Sequence, residues 1–150
     1  MADEKIYDCL RLENQLCFPL YACAKEVVRR YKPFLDEIDL TYTQYIAMMV
    51  MWEKKELSVK ALGEYLYLDS GTLTPVLKTL ESKGFVKRHR SEKDERILNV
   101  TLTADGCMLR DKALSIPTQM GKCIDLDSED AMELYRILHK MLAGFTEASE

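Results

Sequence analysis

One cysteine of this sequence stands where its sulfur could do chemistry. Cys17 closes the run Leu12-Glu13-Asn14-Gln15-Leu16-Cys17, and helical spacing puts it on one predicted helix with Tyr21 and Tyr31. A cysteine attacks an oxidant as its thiolate, and hydrogen bonds donated to the charged sulfur favour that form. Tyrosine hydroxyls can donate such bonds, so the pattern indicates a thiol open to oxidation. The alternative is that Cys17 is a small buried side chain and that the tyrosines serve packing.

A second segment has a charge pattern that suits phosphate groups. Residues 83–96 hold six cations and three acids, a local charge of +3, whereas the whole chain carries −4 and the remainder therefore −7. The cations are Lys83, Lys87, Arg88, Arg90, Lys93 and Arg96, and the acids are Glu92, Asp94 and Glu95. A basic island on an acidic body favours one face that docks on nucleic acid. A solvated charged hairpin would show the same pattern.

The composition is that of a globular chain with reduced thiols. Its 150 residues, 47% of them apolar, suffice for one domain with a modest core, so we predict a single domain over residues 1–150. No apolar run approaches the ~20 residues that span a bilayer, and Met1-Ala2-Asp3-Glu4-Lys5 lacks the pattern of a secretory signal. The five cysteines have neither metal-site spacing nor an even count. We therefore expect a cytoplasmic protein without membrane contact, metal or cofactor.

Six helices are expected from the periodicity of the apolar residues. Thr41, Ser70 and Ser128 are the predicted N-caps of three of them, and Lys83-Gly84 suits a helix end. The first helix is expected to close at Pro33. In chain order the predicted helices cover residues 7–31, 41–52, 57–66, 70–83, 104–122 with a kink at Pro117, and 128–145.

Between the fourth and fifth helices the period changes to two. Residues 85–88 and 97–103 alternate apolar and polar side chains and can pair as a β-hairpin. A helix-turn-helix followed by a hairpin is a winged helix, so we predict a mainly α fold with a winged helix-turn-helix over residues 40–103. The helices within residues 5–35 and 104–150 carry much apolar surface, which predicts dimerisation through them. The alternative is that they fold back on the winged helix.

Several segments together resemble the MarR family of winged-helix regulators. They are Asp39-Leu40-Thr41-Tyr42-Thr43-Gln44-Tyr45, Leu66-Tyr67-Leu68-Asp69-Ser70-Gly71-Thr72-Leu73-Thr74-Pro75-Val76-Leu77-Lys78, Arg90-Ser91-Glu92-Lys93-Asp94-Glu95-Arg96 and Ile116-Pro117. Within the family, Leu12-Glu13-Asn14-Gln15-Leu16-Cys17-Phe18 resembles the OhrR-type organic-peroxide repressors. The resemblance covers nearly the whole chain.

This resemblance implies a homodimer on double-stranded DNA. Two recognition helices would enter successive major grooves of a near-palindromic operator, about 34–36 Å apart, while the wings reach the flanking minor grooves. Arg96 is then the expected minor-groove arginine, oriented by Asp94, and Arg88 and Arg90 would contact the DNA backbone. The recognition helix offers exposed groups that can reach bases or phosphates, any of which could instead be a cap or a solvated side chain: Ser70, Thr72, Thr74 and Lys78.

The same resemblance implies how the thiol works. The Cys17 thiolate would accept hydrogen bonds from the partner subunit's Tyr31 and Tyr42, with Tyr21 nearby. Oxidation to a sulfenic acid, followed by a disulfide, would release the operator. The second thiol is either Cys123 of the partner chain or a low-molecular-weight cellular thiol, and the sequence leaves this choice open.

One residue departs from the OhrR-type pattern. Pro19 stands inside the predicted first helix, where it removes the hydrogen bond to the Gln15 carbonyl. We predict that this places Cys17 near an effective helix start, where the helix dipole favours the thiolate.

Three other functions compete with a redox-sensing repressor. A MarR-type regulator could respond to a small aromatic ligand, with Cys17 structural. A regulator of a broader gene set could use the same oxidation. A thiol peroxidase would be an enzyme; a winged helix serves no purpose in one, so we expect a non-enzyme.

Overall fold

A computed structural model describes residues 4–147, with side chains from Ile6 to Thr146. Residues 1–3 and 148–150 lie outside the described residues; they include most of the segment tested for a secretory signal and both ends of the predicted domain. The chain divides between Met120 and Gly121 into two compact units. Within residues 4–147, no helix combines the length and the apolar character that crossing a bilayer requires.

The first unit is built from helices around a small sheet. Two short 3₁₀ segments, Glu4–Leu10 and Leu12–Asn14, precede the first α-helix. The helices are α1 (Cys17–Asp36), α2 (Tyr42–Lys54), α3 (Val59–Leu66), α4 (Ser70–Ser82), α5 (Ala104–Ala113) and α6 (Ile116–Gly121), and the strands are β1 (Glu56–Ser58), β2 (Val86–Arg90) and β3 (Leu98–Leu102). The helix-turn-helix of α3 and α4, followed by the β2–β3 hairpin, confirms the predicted winged helix.

The second unit contains one helix, α7 (Ser128–Glu147). If α5 and α6 are counted as the single kinked helix that the sequence predicts, all six predicted helices are present among the described residues. The interruption falls at Leu114-Ser115, just before the predicted kink at Pro117. Pro117 is the second residue of α6, where the N–H that proline lacks would have no partner within the helix, so a helix can restart at this point.

The first helix differs from its prediction at both ends. It begins at Cys17 rather than at residue 7, because the preceding chain winds into 3₁₀ turns. Pro19 is therefore its third residue rather than an interior one, and the N–H that proline lacks has no partner at that position in any helix. The helix limits of 7–31 are therefore wrong at the first end, whereas the separate prediction from Pro19, that Cys17 lies near an effective helix start, is confirmed. At the other end the helix continues past Pro33 to Asp36, at the cost of the one hydrogen bond that Pro33 cannot donate.

Helix caps explain where α2 and α4 begin. Thr41 forms a capping box with Gln44, in which each side chain accepts a hydrogen bond from the other residue's backbone N–H, as predicted for the Thr41 cap. The predicted cap Ser70 is wrong. Asp69 caps α4 by accepting the Thr72 backbone N–H at 2.8 Å, and Ser70 is the first helical residue. A carboxylate also interacts favourably with the positive end of the helix dipole, which favours Asp69 over the neighbouring serine.

The same correction applies to α7. Asp127 accepts the backbone N–H of Asp130 at 2.9 Å, and Ser128 is the first residue of the helix rather than its cap. In both helices an aspartate directly precedes the predicted serine.

The sheet has three antiparallel strands in the order β1-β3-β2. The predicted hairpin is confirmed, with Val86 opposite Leu102 and Arg90 opposite Leu98. Strand β1 was not predicted; it pairs with β3 through Leu57 opposite Val100. β2 therefore has one neighbour and forms an edge of the sheet.

One face of α4 packs in the core of the first unit. Leu73, Leu77 and Leu80 are fully buried together with Met48 and Met51 of α2. Three leucines at this spacing lie on one side of the helix, so the opposite side faces outward. The core thus fixes which face of α4 can meet another molecule.

Hydrogen bonds anchor α2 to α5 and join the start of α5 to the base of the wing. Trp52 donates its indole N–H to the Gly106 carbonyl oxygen at 2.8 Å, inside the core. Gly106 is required here, because a Cβ at this position would collide with the Phe85 carbonyl oxygen. Thr103 caps α5 and also donates its hydroxyl to the Gly84 carbonyl at 2.6 Å.

The first and last helices have few buried side chains. Leu35 is the buried residue of α1, and none of the described side chains of α7 is buried. Leu16 beside α1 is 81% exposed and Met132 of α7 is 74% exposed. Apolar surface of this extent is typical of helices that bind another protein surface.

Candidate functional site

Cys17 occupies an exposed position at the start of a helix. It is the first residue of α1 and carries a free thiol. The backbone N–H groups of the first helical turn point toward the N-terminus, where the helix dipole is positive and favours negative charge. The neighbouring side chains are apolar and exposed, with Leu16 at 81% and Phe18 at 42%. The thiol is therefore accessible at the N-terminal end of a helix.

The tyrosines predicted to support Cys17 lie at different distances from it. Tyr21 is one helical turn further along α1, and its exposed ring has the Lys25 Nζ atom 5.4 Å from its centroid. Tyr31 follows Cys17 by 14 residues on the same helix. At 1.5 Å per residue this places it about 21 Å away along the axis. Tyr31 of a given chain therefore cannot reach the Cys17 sulfur of that chain.

Tyr31 belongs instead to a cluster of three tyrosines. Its ring centroid lies 4.9 Å from that of Tyr42 and 5.8 Å from that of Tyr45. Tyr42 begins α2, and Tyr45 follows one turn later, almost fully buried. The sequence places Tyr45 in the core but does not connect it with the other two. The spacing of three residues between Tyr42 and Tyr45 on one helix was the available signal.

Burial controls the ionisation of this cluster. It raises the pKa of Tyr31 and, less directly, the negative charge that Tyr42 would carry raises it further. Burial likewise raises the pKa of Tyr42 and of Tyr45. The phenols therefore stay protonated at neutral pH and keep their O–H groups as donors. Among residues 4–147, neither the Tyr31 nor the Tyr42 hydroxyl has a hydrogen-bond partner.

The recognition helix presents three of its four predicted contact residues in one row. Ser70, Thr74 and Lys78 are spaced by four residues and share a face of α4, and Thr74 donates its hydroxyl to the Ser70 carbonyl at 2.7 Å. Lys78 is exposed. Thr72 lies on a different side of the helix, with its hydroxyl 3.4 Å from the Asp69 cap. The structure thus brings together Ser70, Thr74 and Lys78 and separates Thr72 from them.

At the tip of the wing, Asp94 holds Arg96. One carboxylate oxygen accepts the Arg96 backbone N–H at 3.0 Å and the Nε–H at 3.1 Å, and the other accepts from Nη2 at 3.3 Å. The Arg96 side chain is nonetheless 91% exposed. The hydrogen bonds from Arg96 lower the pKa of Asp94, so the carboxylate stays charged at neutral pH. The wing therefore carries an exposed guanidinium whose direction is restrained.

The two other predicted wing arginines differ from each other. Arg90 is exposed, and its Nη1 atom lies 3.5 Å from the Arg96 carbonyl oxygen. Arg88 is half-buried and forms an ion pair with Glu81 of α4 at 2.8 Å. No sequence pattern pairs these two residues, because Glu81 lies on a helix and Arg88 on a strand.

The remaining thiols are dispersed. Cys123 is half-buried, in the second unit between α6 and α7. Cys9 and Cys23 are exposed, and Cys107 is half-buried in α5. Among the described residues, no three His, Cys, Asp or Glu side chains are grouped as a metal site would require.

Known proteins match this chain along most of its length. The family of transcriptional regulators described as SarA/Rot matches residues 29–112. The organic hydroperoxide resistance transcriptional regulator of Bacillus subtilis (strain 168) is 47% identical over 93% of this chain and 95% of that protein. The HTH-type transcriptional regulator SarZ of Staphylococcus aureus (strain USA300) is 39% identical over 88% of this chain and 89% of that protein.

The fold of the regulator AbfR is also similar. The structure of reduced AbfR bound to DNA matches with a TM-score of 0.79 and 30% identity, over 100% of both chains. This chain belongs to the MarR family of winged-helix transcriptional regulators. The OhrR-type resemblance of the sequence is confirmed as well, by the Bacillus subtilis relative.

AbfR has been solved in states that bear on a MarR-family thiol. A disulfide-formed structure matches with a TM-score of 0.65 and 30% identity, over 97% of this chain and 99% of that one. An overoxidized form bound to DNA matches with a TM-score of 0.70 and 32% identity, over 95% and 99% of the two chains.

Proposed function

We propose that this MarR-family regulator is a redox-sensing repressor. As a homodimer it binds near-palindromic, double-stranded operator DNA while Cys17 is reduced, and it releases the DNA when an organic hydroperoxide oxidises that thiol. One observation carries the proposal: Cys17 is exposed at a helix start, while Tyr31 lies about 21 Å away along the same helix and, like Tyr42 beside it, keeps a protonated hydroxyl. A second subunit can bring the two halves together.

The dimer would form through the ends of the chain. We assign residues 40–103 to DNA binding and the helices within residues 5–35 and 104–150 to dimerisation, all as parts of one MarR-like domain. The exposed apolar side chains beside and on α1 and on α7 support this assignment. A dimer also supplies the two recognition helices that a palindromic operator requires.

The thiol reacts in two steps, oxidation to a sulfenic acid and formation of a disulfide. The Cys17 thiolate attacks the outer oxygen of a hydroperoxide, which breaks the O–O bond, reduces the peroxide to an alcohol after proton uptake, and leaves a sulfenic acid. A second thiol then displaces water from the sulfenic acid and forms a disulfide. Cys123 of the partner chain or a low-molecular-weight thiol can supply it.

DNA would be bound by α4 and the wing. Ser70, Thr74 and Lys78 share the outer face of α4 and would contact bases or phosphates, with Thr72 at the margin. Arg96, oriented by Asp94, would enter the minor groove, where a narrow groove concentrates negative potential. Arg90 would contact a backbone phosphate. No cofactor is part of this function.

We propose that this regulator is cytoplasmic and that it is not an enzyme. Its relatives are transcriptional regulators, which meet DNA and reduced thiols in the same compartment. A thiol peroxidase would consume peroxide rapidly and repeatedly when given excess thiol; we expect only slow consumption, limited by the re-reduction of Cys17.

The test is fluorescence anisotropy with a labelled duplex that reduced wild-type protein selects from a random-sequence pool. We expect wild-type protein to release the duplex after cumene hydroperoxide and to rebind it after dithiothreitol, whereas Cys17→Ser stays bound throughout. A reversal from mostly bound to mostly free needs only ~5.5 kcal/mol. Release by both proteins, or by neither, would contradict the Cys17 switch and turn the search to small ligands.

A non-reducing denaturing gel separates the two sources of the second thiol. If Cys123 of the partner chain supplies the second thiol, oxidised wild-type protein runs as a covalent dimer and Cys123→Ser runs as a monomer. A wild-type protein that stays monomeric would assign the second thiol to a small molecule.

A further inference from the structure

An ion pair between the recognition helix and the wing is more elaborate than a surface contact. The Glu81 carboxylate accepts three hydrogen bonds from Arg88: from the backbone N–H at 2.7 Å, from Nε–H at 3.0 Å and from Nη2 at 2.8 Å. The Arg88 side chain is 21% exposed and that of Glu81 33%. Both guanidinium donors bind Oε2 and the backbone N–H binds Oε1, so the two carboxylate oxygens of Glu81 hold Arg88 at three atoms.

The pair closes the corner between two elements. Glu81 lies in the last turn of α4, and Arg88 lies in the middle of β2, just after the turn at Gly84. Because β2 is an edge strand, the Arg88 N–H has no neighbouring strand on its outer side, and Glu81 satisfies it. The backbone N–H and the guanidinium of Arg88 are thus both bound to the Glu81 side chain of α4.

We propose that Glu81 and Arg88 are positioning residues: together they set the wing relative to the recognition helix, and Arg88 does not contact DNA phosphate. The proposal rests on the proposed DNA binding and revises the role predicted for Arg88 from the sequence. The Arg88 Nη1 group is not used in the pair with Glu81, but a phosphate that it bound would lie close to the Glu81 carboxylate. Like charges at that distance repel each other.

The two roles predict opposite signs for Glu81→Gln. If Arg88 binds phosphate, removing a competing carboxylate strengthens DNA binding. If the pair positions the wing, Glu81→Gln weakens binding even though it removes a negative charge. We expect the dissociation constant for the selected duplex to rise about three- to tenfold, since the pair is partly exposed. Glu92→Gln is the matched control, because it removes an exposed wing acid and should strengthen binding or leave it unchanged.

Salt dependence supplies a second readout that a phosphate contact would change. Each phosphate contact contributes about 0.9 to the slope of log K against log salt. We expect Arg88→Met to weaken binding without changing that slope, whereas Arg90→Met lowers it by about one. The double variant Glu81→Gln/Arg88→Met should lose no more affinity than Arg88→Met alone.

A conservative variant keeps the proposal testable if Arg88→Met does not fold. Arg88→Lys retains the charge but cannot form the two-pronged contact with Glu81. We expect it to bind as weakly as Glu81→Gln, with circular dichroism and thermal unfolding close to those of the wild type. Wild-type affinity in Arg88→Lys, tighter binding in Glu81→Gln, or a lower salt slope in Arg88→Met would each overturn the inference.

These outcomes are separate from those that test the switch. Failure of the wild type to select any duplex would contradict the proposed DNA binding itself. A wild type that binds and responds to peroxide, together with a tighter-binding Glu81→Gln, would overturn only the positioning role.

Discussion

The recognition helix and the sensor helix differ in how much of their surroundings one chain supplies. In α4, Leu73, Leu77 and Leu80 are fully buried, and the helix is capped at its start and joined to the wing at its end. In α1, Leu35 is the buried residue, and Leu16 beside Cys17 is 81% exposed. The winged helix is packed within one chain, whereas the proposed thiol site takes its tyrosine donors from a second chain.

This difference connects sensing to assembly. A site built from two subunits exists only in the dimer, so dimerisation and thiol reactivity are thermodynamically linked. The DNA-binding surface of each subunit, in contrast, is shaped by its own core. In the proposed switch, oxidation changes the distance between the DNA-binding surfaces of the two subunits without unfolding either of them.

The largest contrast is expected from the same substitution made in both regions. Leu77→Ala removes a fully buried side chain and should lower the free energy of unfolding by about 2–5 kcal/mol. Leu16→Ala removes an exposed one and should change the unfolding of the monomer by less than ~0.5 kcal/mol. Chemical denaturation at low protein concentration measures both values.

The dimer should rank these two leucines differently. Leu16→Ala is expected to raise the dimer dissociation constant about tenfold or more, because a leucine buried at an interface contributes ~1.5–3 kcal/mol. Sedimentation equilibrium measures this constant. An unchanged dimer in Leu16→Ala would mean that the surface beside Cys17 is not part of the interface.

Removing a tyrosine hydroxyl should slow the reaction of the thiol. A hydrogen bond to a charged group contributes ~1.5–3 kcal/mol, so Tyr31→Phe should oxidise about 10–100-fold more slowly than the wild type if the bond forms fully only to the thiolate. Rapid alkylation followed by mass spectrometry gives the rate of Cys17 oxidation. Tyr65→Phe, an exposed tyrosine outside the cluster, is the control and should react at the wild-type rate.

Mixed dimers decide which chain supplies the hydroxyl. A subunit with Cys17→Ser, paired with a subunit carrying Tyr31→Phe, has one intact site if the donor comes from the partner, and none if it comes from the same chain. We expect its single reactive thiol to oxidise at the wild-type rate. A slow rate in this mixed dimer would place the donor within one chain and contradict the 21 Å separation argument.

A smaller effect should distinguish the true cap of the recognition helix from its neighbour. Asp69→Ala removes the acceptor of the Thr72 N–H and should cost about 1 kcal/mol of stability. Ser70→Ala, one residue further along, should cost less than ~0.5 kcal/mol. Equal losses in thermal unfolding would return the cap to Ser70.

The smallest effect concerns alkaline pH. Burial raises the pKa of Tyr31 and Tyr42 above the ordinary 10.0, so the unfolded chain releases these protons first as the pH rises. Their contribution to stability is complete below pH ~10 and is lost above it. The double variant Tyr31→Phe/Tyr42→Phe should show a shallower loss of stability with pH than the wild type. Identical profiles would show that burial does not shift the pKa of these two tyrosines.

The sequence predicts features that depend on local chemistry. Thr41 begins α2 because a threonine and Gln44 form a reciprocal cap, and the alternation around Val100 predicts β3. Pro19 predicts a helix start near Cys17. The helix-turn-helix, the hairpin and the family follow from such signals in combination.

Features that depend on contacts between elements were missed. Strand β1 has three residues, too few for a periodic pattern, and it exists because β3 offers it a partner. Tyr31 joins Tyr42 and Tyr45 only when α1 packs on α2. The pairing of Glu81 with Arg88 requires the turn at Gly84, which brings a helix end beside a strand.

The carboxylate of Glu81 has a consequence for solubility. An edge strand with an unsatisfied N–H can template the addition of a strand from another molecule, and exposed hairpins are common starting points for aggregation. On β2 the Arg88 amide is already occupied, so the edge offers an incoming strand one donor fewer at its centre. A basic hairpin that must stay exposed is thereby protected from its own copies, with no additional chain needed to cover it.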